Sequence, residues 1–211
     1  MSDVIVYGFP QSTYVRTARM CLQEKGVDYA LEPVDLGSDD YRALHPFGKV
    51  PAFRHGDVHL YETVAIGRYV DGAFDGPALA PAGVLDTARM SQWISVVIDY
   101  VYPTLIGKVV LERFAPAIRG RDADESVITE ALPQVEYQLG IFDKALAESA
   151  MLAGDGPTIA DFFLAPILFY AAITPDTAAL VEARPNLVRW HAAMAERASY
   201  RDTIPDLPTG N

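Results

Sequence analysis

"YGFPQSTYVRTARM", residues 7–20, decides how the chain begins. The apolar run Val4-Ile5-Val6-Tyr7 breaks at Gly8, and the polar triplet Gln11-Ser12-Thr13 leads into a segment with helical spacing. A short, wholly apolar run reads as a strand covered on both faces. Val15, Ala18, Cys21 and Leu22 lie on one stripe with charges between them, and Gly26 supplies a stop, so Thr13 to Lys25 reads as an amphipathic helix. Hydroxyls at such a junction stand at a helix N-terminus, where backbone N–H groups lack acceptors and the dipole is positive.

The segments that follow alternate in type. Tyr29–Val34 reads as a second strand and Ser38–Leu44 as a short helix. Val50–Arg54 and Val58–Tyr61 flank His55-Gly56-Asp57, a hairpin signal, and Glu62 to Tyr69 reads as helix. The order βαβαββα places helices against a mixed four-stranded sheet. "FDGPALAPAGV", residues 74–84, has the composition of a linker. Beyond it the pattern is helical throughout. Trp93, Val96/Val97 and Tyr100/Val101 form one stripe, with Pro103 expected to kink or end that helix. Ile128, Ala131/Leu132, Val135, Leu139, Phe142 and Leu146 form another. Thr158 and Asp161 are spaced as a capping box, and the run after them is apolar all round, as a central buried helix would be. The expected division is an α/β domain over residues 1–75, a linker over 76–84 and an all-α domain over 85–211.

Composition narrows the function. Half of the 211 residues are apolar and the net charge is −11, which argues against a nucleic-acid partner. A single cysteine cannot form an internal disulfide and fits a reducing compartment. Met1-Ser2-Asp3 carries no leader pattern. The longest apolar stretch, Ile159 to Ile173, contains Asp161 and Pro166 and is too short to span a bilayer, so a soluble, cytoplasmic chain without membrane contact is expected. Cys21, on the apolar stripe of the first helix, reads as a buried thiol. His45, His55, His59 and His191 show no metal-site spacing.

Four stretches in order resemble the cytosolic glutathione transferase superfamily: "HPFGKVPAF" (45–53), Glu62-Thr63, "GPTIADFFLAP" (156–166) and "PNLVRWHAAMAERASY" (185–200). The likeness covers nearly the whole chain and is closest to a serine-type, phi-like bacterial member. It implies a thioredoxin-like first domain joined to a helical bundle, with glutathione as co-substrate, a homodimer, and no metal. It further implies that Val50, before a cis Val50–Pro51 bond, pairs with the peptide-like backbone of glutathione. Thr63 would meet the γ-glutamyl carboxylate, Glu62 the amine, and Lys49 the glycyl carboxylate.

The family ionises the thiol with a Tyr late in the first strand, or with a Ser or Cys at the start of the first helix. Matching Phe9-Pro10 to tyrosine-type members puts Gly8 at the tyrosine position and aims Tyr7 the other way. Matching Ser12-Thr13 to the serine type runs without a gap through Arg16 to Cys21-Leu22. Ser12 is therefore the expected donor, with Thr13 and Tyr14 as alternates, and a plain N-cap as the other reading of Ser12. A pocket for a small hydrophobic electrophile is expected from Phe9, Tyr14, Tyr100, Tyr102 and Ile106, residues that could equally be core.

One segment departs from the pattern. Serine-type relatives carry a basic pair where this chain has "DLGSDDYRAL" (35–44), leaving Arg42 or Lys49 for the glycyl carboxylate. The resemblance thus implies transfer of glutathione to an electrophile. A glutathione-dependent isomerase of the maleylacetoacetate type is the near alternative, and a non-catalytic protein on the same fold is the alternative from another class.

Overall fold

The computed structural model describes residues 3–207; Met1 and Ser2, which carry part of the reading of the N-terminus, lie outside them. Strands β1 (Val4–Tyr7), β2 (Ala30–Glu32), β3 (Ala52–His55) and β4 (Val58–Tyr61) form one sheet in the order β2-β1-β3-β4. β1 runs parallel to β2, with Ile5 opposite Ala30, and antiparallel to β3, with Val6 opposite Phe53. The sheet is interleaved with α1 (Thr13–Glu24), α2 (Asp39–Leu44) and α3 (Thr63–Ala73). This is the expected βαβαββα order.

Several boundaries differ for local reasons. β2 is shorter than Tyr29–Val34 because Pro33 has no N–H to give the ladder. β3 starts at Ala52, after the cis Val50–Pro51 bond, and α3 runs on to Ala73. β1 is not covered equally on both faces: Val4 and Val6 are buried, while Ile5 and Tyr7 are half-buried. Ser38 caps α2 through a bond from the Tyr41 N–H (3.1 Å), and Gly26 follows α1 at φ +67, the left-handed turn that glycine tolerates.

The second half is helical: α4 (Val84–Val96), π1 (Val97–Val110), α5 (Leu111–Arg113), α6 (Ala115–Arg119), α7 (Glu125–Ala147), α8 (Ile159–Ile173), α9 (Pro175–Glu182), α10 (Pro185–Ala195) and α11 (Ala198–Arg201). Pro103 does not end its helix. The coil widens to i→i+5 hydrogen bonding through π1, seen at its end where the Leu111 N–H bonds the Ile106 carbonyl. The Tyr100 carbonyl is taken by Gln138 Nε2 and by the Thr104 hydroxyl, both at 2.9 Å. Among the described residues the unbroken helix long and apolar enough to cross a membrane is Val84–Arg113, not Ile159–Ile173. It packs against α7 and α8, burying Ile94, Val97, Val101, Leu105 and Val109, while Val84, Leu85 and Tyr100 stay exposed. The stretch 185–200 is two helices, broken at Glu196-Arg197.

α8 is the central helix, buried on nearly every side and packed on α1. At its start Asp161 takes the Thr158 N–H (2.8 Å) and hydroxyl (2.9 Å) on one oxygen. The other oxygen takes the Leu152 N–H (3.0 Å) and Trp190 Nε1–H (2.9 Å). The segment after α3 is pinned at buried Leu79: its N–H bonds Asp71 Oδ1 (2.7 Å) and its carbonyl accepts from the Ile159 N–H (2.9 Å). α1 is tied to the helical half by the Thr17 hydroxyl on the Phe162 carbonyl (2.9 Å). Buried Arg16 adds bonds to the Tyr200 carbonyl (2.9 Å) and the Thr203 hydroxyl (3.2 Å). Cys21 lies fully inside, and burial pushes its thiol well above the ordinary range. An aromatic disulfide reagent is therefore expected to label it only as fast as the protein opens; rapid labelling of the folded protein would contradict this packing.

Candidate active site

Three chain segments converge beside α1. Gly8 is the hinge of the arrangement: a Cβ there would lie 2.5 Å from Val15 Cγ2 and 3.1 Å from Val50 Cβ. The missing side chain lets the first turn of α1 and Val50, two residues before β3, close together, and it leaves no room for a tyrosine at position 8. Tyr7 stays in the sheet, opposite Glu32 and Ala52.

Ser12 is the N-cap of α1, and its Oγ accepts the Val15 N–H at 3.3 Å. Accepting through a lone pair leaves the hydroxyl proton free to donate elsewhere. Thr13 is buried and its hydroxyl oxygen has no hydrogen-bond partner.

A cleft of about 390 Å³ opens next to this helix start. Its lining takes Lys49, Val50 and Pro51 from the approach to β3, Glu62, Thr63 and Val64 from the start of α3, Tyr14 from α1, Ile98 from π1 and Phe163 from α8. The cleft thus meets the start of α3. No side chain caps its N-terminus, and its first intrahelical bond is Ile66 N–H to the Glu62 carbonyl. The N–H groups before Ile66 thus have no intrahelical acceptor, with buried Thr63 at the first helical position. Glu62 is held at φ +70, where a non-glycine residue stores strain of about 1–3 kcal/mol. Strain of that kind, at the turn from β4 into α3, is typical of a ligand clamp.

The sequence placed some of these residues and missed others. Lys49, Val50, Pro51, Glu62, Thr63 and Tyr14 do come together at one cleft. Ser12 sits at the neighbouring helix start and is not part of the cleft lining. Of the expected electrophile residues, only Tyr14 lines the cleft. Ile106 is a core residue at 4% exposure, Tyr100 faces outward at 62%, and Tyr102 stands behind Tyr14, ring on ring at 4.6 Å. Phe9 is half-buried and outside the lining. Arg42, on α2, is exposed and also outside it.

His45, Phe47, Val64, Ile98 and Phe163 were not foreseen as lining residues. His45 and Phe47 belong to the motif already quoted, but nothing in the letters says that they face the ligand side. His45 is 2% exposed, its Nδ1 has no partner, and burial pushes its pKa down, so the ring is neutral at physiological pH. Among the described residues no group of three His, Cys, Asp or Glu side chains could hold a metal ion.

A thioredoxin-like sheet joined to an all-helical bundle, with the cleft at an open helix N-terminus, is the architecture of the glutathione transferases. The chain belongs to the glutathione S-transferase family. Residues 6–78 match the glutathione S-transferase N-terminal domain and residues 101–198 its C-terminal domain. The chain is 33% identical to glutathione S-transferase 4 of Zea mays, across 98% of this chain and 94% of that protein. Its fold superposes on the apo structure of glutathione S-transferase III with a TM-score of 0.88, at 33% identity over 98% and 99% of the two chains. It also superposes on maize glutathione S-transferase I in complex with an atrazine–glutathione conjugate, with a TM-score of 0.85 at 25% identity over 95% and 96%. The maize proteins are plant glutathione S-transferases, and the similarity supports the family without singling out a bacterial or a serine-type member.

Proposed function

We propose that this protein is a cytoplasmic, homodimeric glutathione S-transferase of the serine type, joining the glutathione thiolate to a small hydrophobic electrophile. One observation carries the reading: the uncapped start of α3, the Val50–Pro51 edge and the side chains of Glu62 and Lys49 meet at one cleft beside the helix start that bears Ser12. Glutathione has an extended backbone suited to pairing with a free strand edge, which Val50 would offer. Its γ-glutamyl carboxylate suits the N–H groups and hydroxyl at Thr63, and its amine suits Glu62. Lys49, at the cleft wall, is the better placed of the two cations for the glycyl carboxylate, since Arg42 lies outside the lining. The sulfur then falls toward α1, where Ser12 would donate to it. Val64, Ile98, Phe163 and the Tyr14 ring give the electrophile an apolar wall. The chemistry calls for no metal. Residues 1–75 would hold glutathione and 85–211 would complete the electrophile side, joined through 76–84.

Calorimetric titration with glutathione, followed by chloride release from a benzyl halide, tests the proposal. Micromolar binding with glutathione-dependent chloride release is the expected result. Binding that is absent or millimolar would instead favour the non-catalytic reading that the acidic segment 35–44 leaves open.

A further inference from the structure

Tyr14 has features that glutathione binding does not use. It sits two residues beyond Ser12, in the first turn of α1, and lines the cleft on the side of the helical bundle. Its ring is clamped between elements of the second half. Tyr102 of π1 stacks on it at 4.6 Å with an interplanar angle of 29°, and Phe163 of α8 meets it edge-on at 5.9 Å. A ring held on two sides cannot swing, so the phenol oxygen is fixed in direction. That oxygen has no hydrogen bond to the protein among the described residues. Burial, with Tyr102, Glu62 and Asp99 nearby, pushes its pKa well above that of an ordinary tyrosine. The group therefore stays protonated at any pH at which the protein works, and is a hydrogen-bond donor. Phe163 beside it, and Val64 and Ile98 of the same cleft lining, are apolar. An apolar wall with one fixed O–H suits an electrophile that is itself apolar except for one acceptor oxygen.

We propose that Tyr14 donates its hydroxyl to the carbonyl oxygen of an α,β-unsaturated carbonyl substrate, making enones a preferred electrophile class. The proposal rests on the transferase reading above and extends it. In the step itself the thiolate pair forms a C–S bond at the β-carbon. The alkene π pair shifts to the bond between the α-carbon and the carbonyl carbon, and the carbonyl π pair moves onto oxygen. The Tyr14 O–H stabilises that oxyanion, and a proton from water then completes the α-carbon. The donor acts where charge develops in the transition state, in a site partly shielded from water, which is where a hydrogen bond accelerates most. A benzyl halide develops its charge on departing chloride and presents no carbonyl oxygen.

The test compares benzylideneacetone with benzyl chloride in wild type and in Tyr14→Phe, which keeps the ring and its stacking. The ratio of kcat/KM for the enone to that for the halide is expected to fall about tenfold in the variant, the effect of losing one hydrogen bond to a charged acceptor. The pKa of the bound thiol, followed by thiolate ultraviolet absorbance, is expected to stay where it is. An unchanged ratio, or a thiol pKa that rises in the variant, would overturn the assignment of Tyr14 while leaving the transferase reading intact. A wild type inert toward both substrates, and without glutathione binding, would overturn both.

Discussion

Replacing Asp161 with alanine is expected to lower the unfolding free energy by about 3–5 kcal/mol, the range for breaking a buried charged network. The carboxylate is fully buried and collects the Leu152 and Thr158 N–H groups, the Thr158 hydroxyl and the Trp190 indole N–H. Alanine would strand all four donors in a place water cannot reach, at about 1–3 kcal/mol for each group left unsatisfied before relaxation. Asparagine is expected to lose less, because its amide oxygen keeps one pair of those bonds. The effect should reach the cleft as well. Asp161 fixes the start of α8, which carries Phe163 into the cleft wall and offers the Phe162 carbonyl to Thr17 of α1. Urea unfolding of the two variants beside wild type provides the measurement; an alanine variant within about 1 kcal/mol of wild type would show that the network contributes little net stability.

That capping arrangement was legible from residues 158 and 161 alone, because it is local: an Asp three residues after an N-cap threonine has few other uses. The same holds for β1 and β4, for Gly26 after α1, and for the tight turn at Gly56 (φ +55) between β3 and β4. The cleft lining on the second half was not legible. Tyr100, Tyr102 and Ile106 are candidates because they stand at helical spacing on the first helix of the second half, a pattern that does not say which of its sides meets a ligand. In π1 the wider coil advances each residue through a smaller angle, so the inward face drifts away from an α-helical stripe. Ile98 comes to the cleft, Ile106 turns into the core and Tyr100 faces out. Phe163 lies in a run that is apolar on every side, and periodicity cannot say which side of such a helix meets a ligand. The glutathione side was easier to read because it is made of backbone features, a helix start and a residue before proline, that leave marks in the sequence.

Ser12→Ala is expected to lower turnover tenfold or more near neutral pH while changing glutathione affinity little. The reasoning starts from the free thiol, whose pKa of about 8.5 leaves about 3% ionised at pH 7. A shift of two units, about 2.7 kcal/mol, raises the ionised share to roughly three quarters, a gain of about 25-fold in reactive species. Ser12 can supply most of that. A hydrogen bond to a charged acceptor contributes about 1.5–3 kcal/mol, and the helix N-terminus adds about 0.3–1 kcal/mol. The Val15 N–H uses one lone pair of the Ser12 oxygen, which leaves the proton free to rotate toward the sulfur. A thiolate of lower pKa is also a weaker nucleophile, so part of the gain is returned and tenfold is the sounder expectation. Affinity should hold because the carboxylates and backbone of glutathione are gripped elsewhere in the cleft, at Thr63, Val50 and Lys49. The pH dependence separates ionisation from simple misplacement of the sulfur. With the folded-site pKa raised by the mutation, the deficit should be large near pH 7 and shrink to less than about twofold by pH 9, where either thiol is mostly ionised. A loss that stays constant with pH would assign Ser12 to positioning. No loss at all would move the thiolate donor to another group and leave Ser12 as the cap of α1.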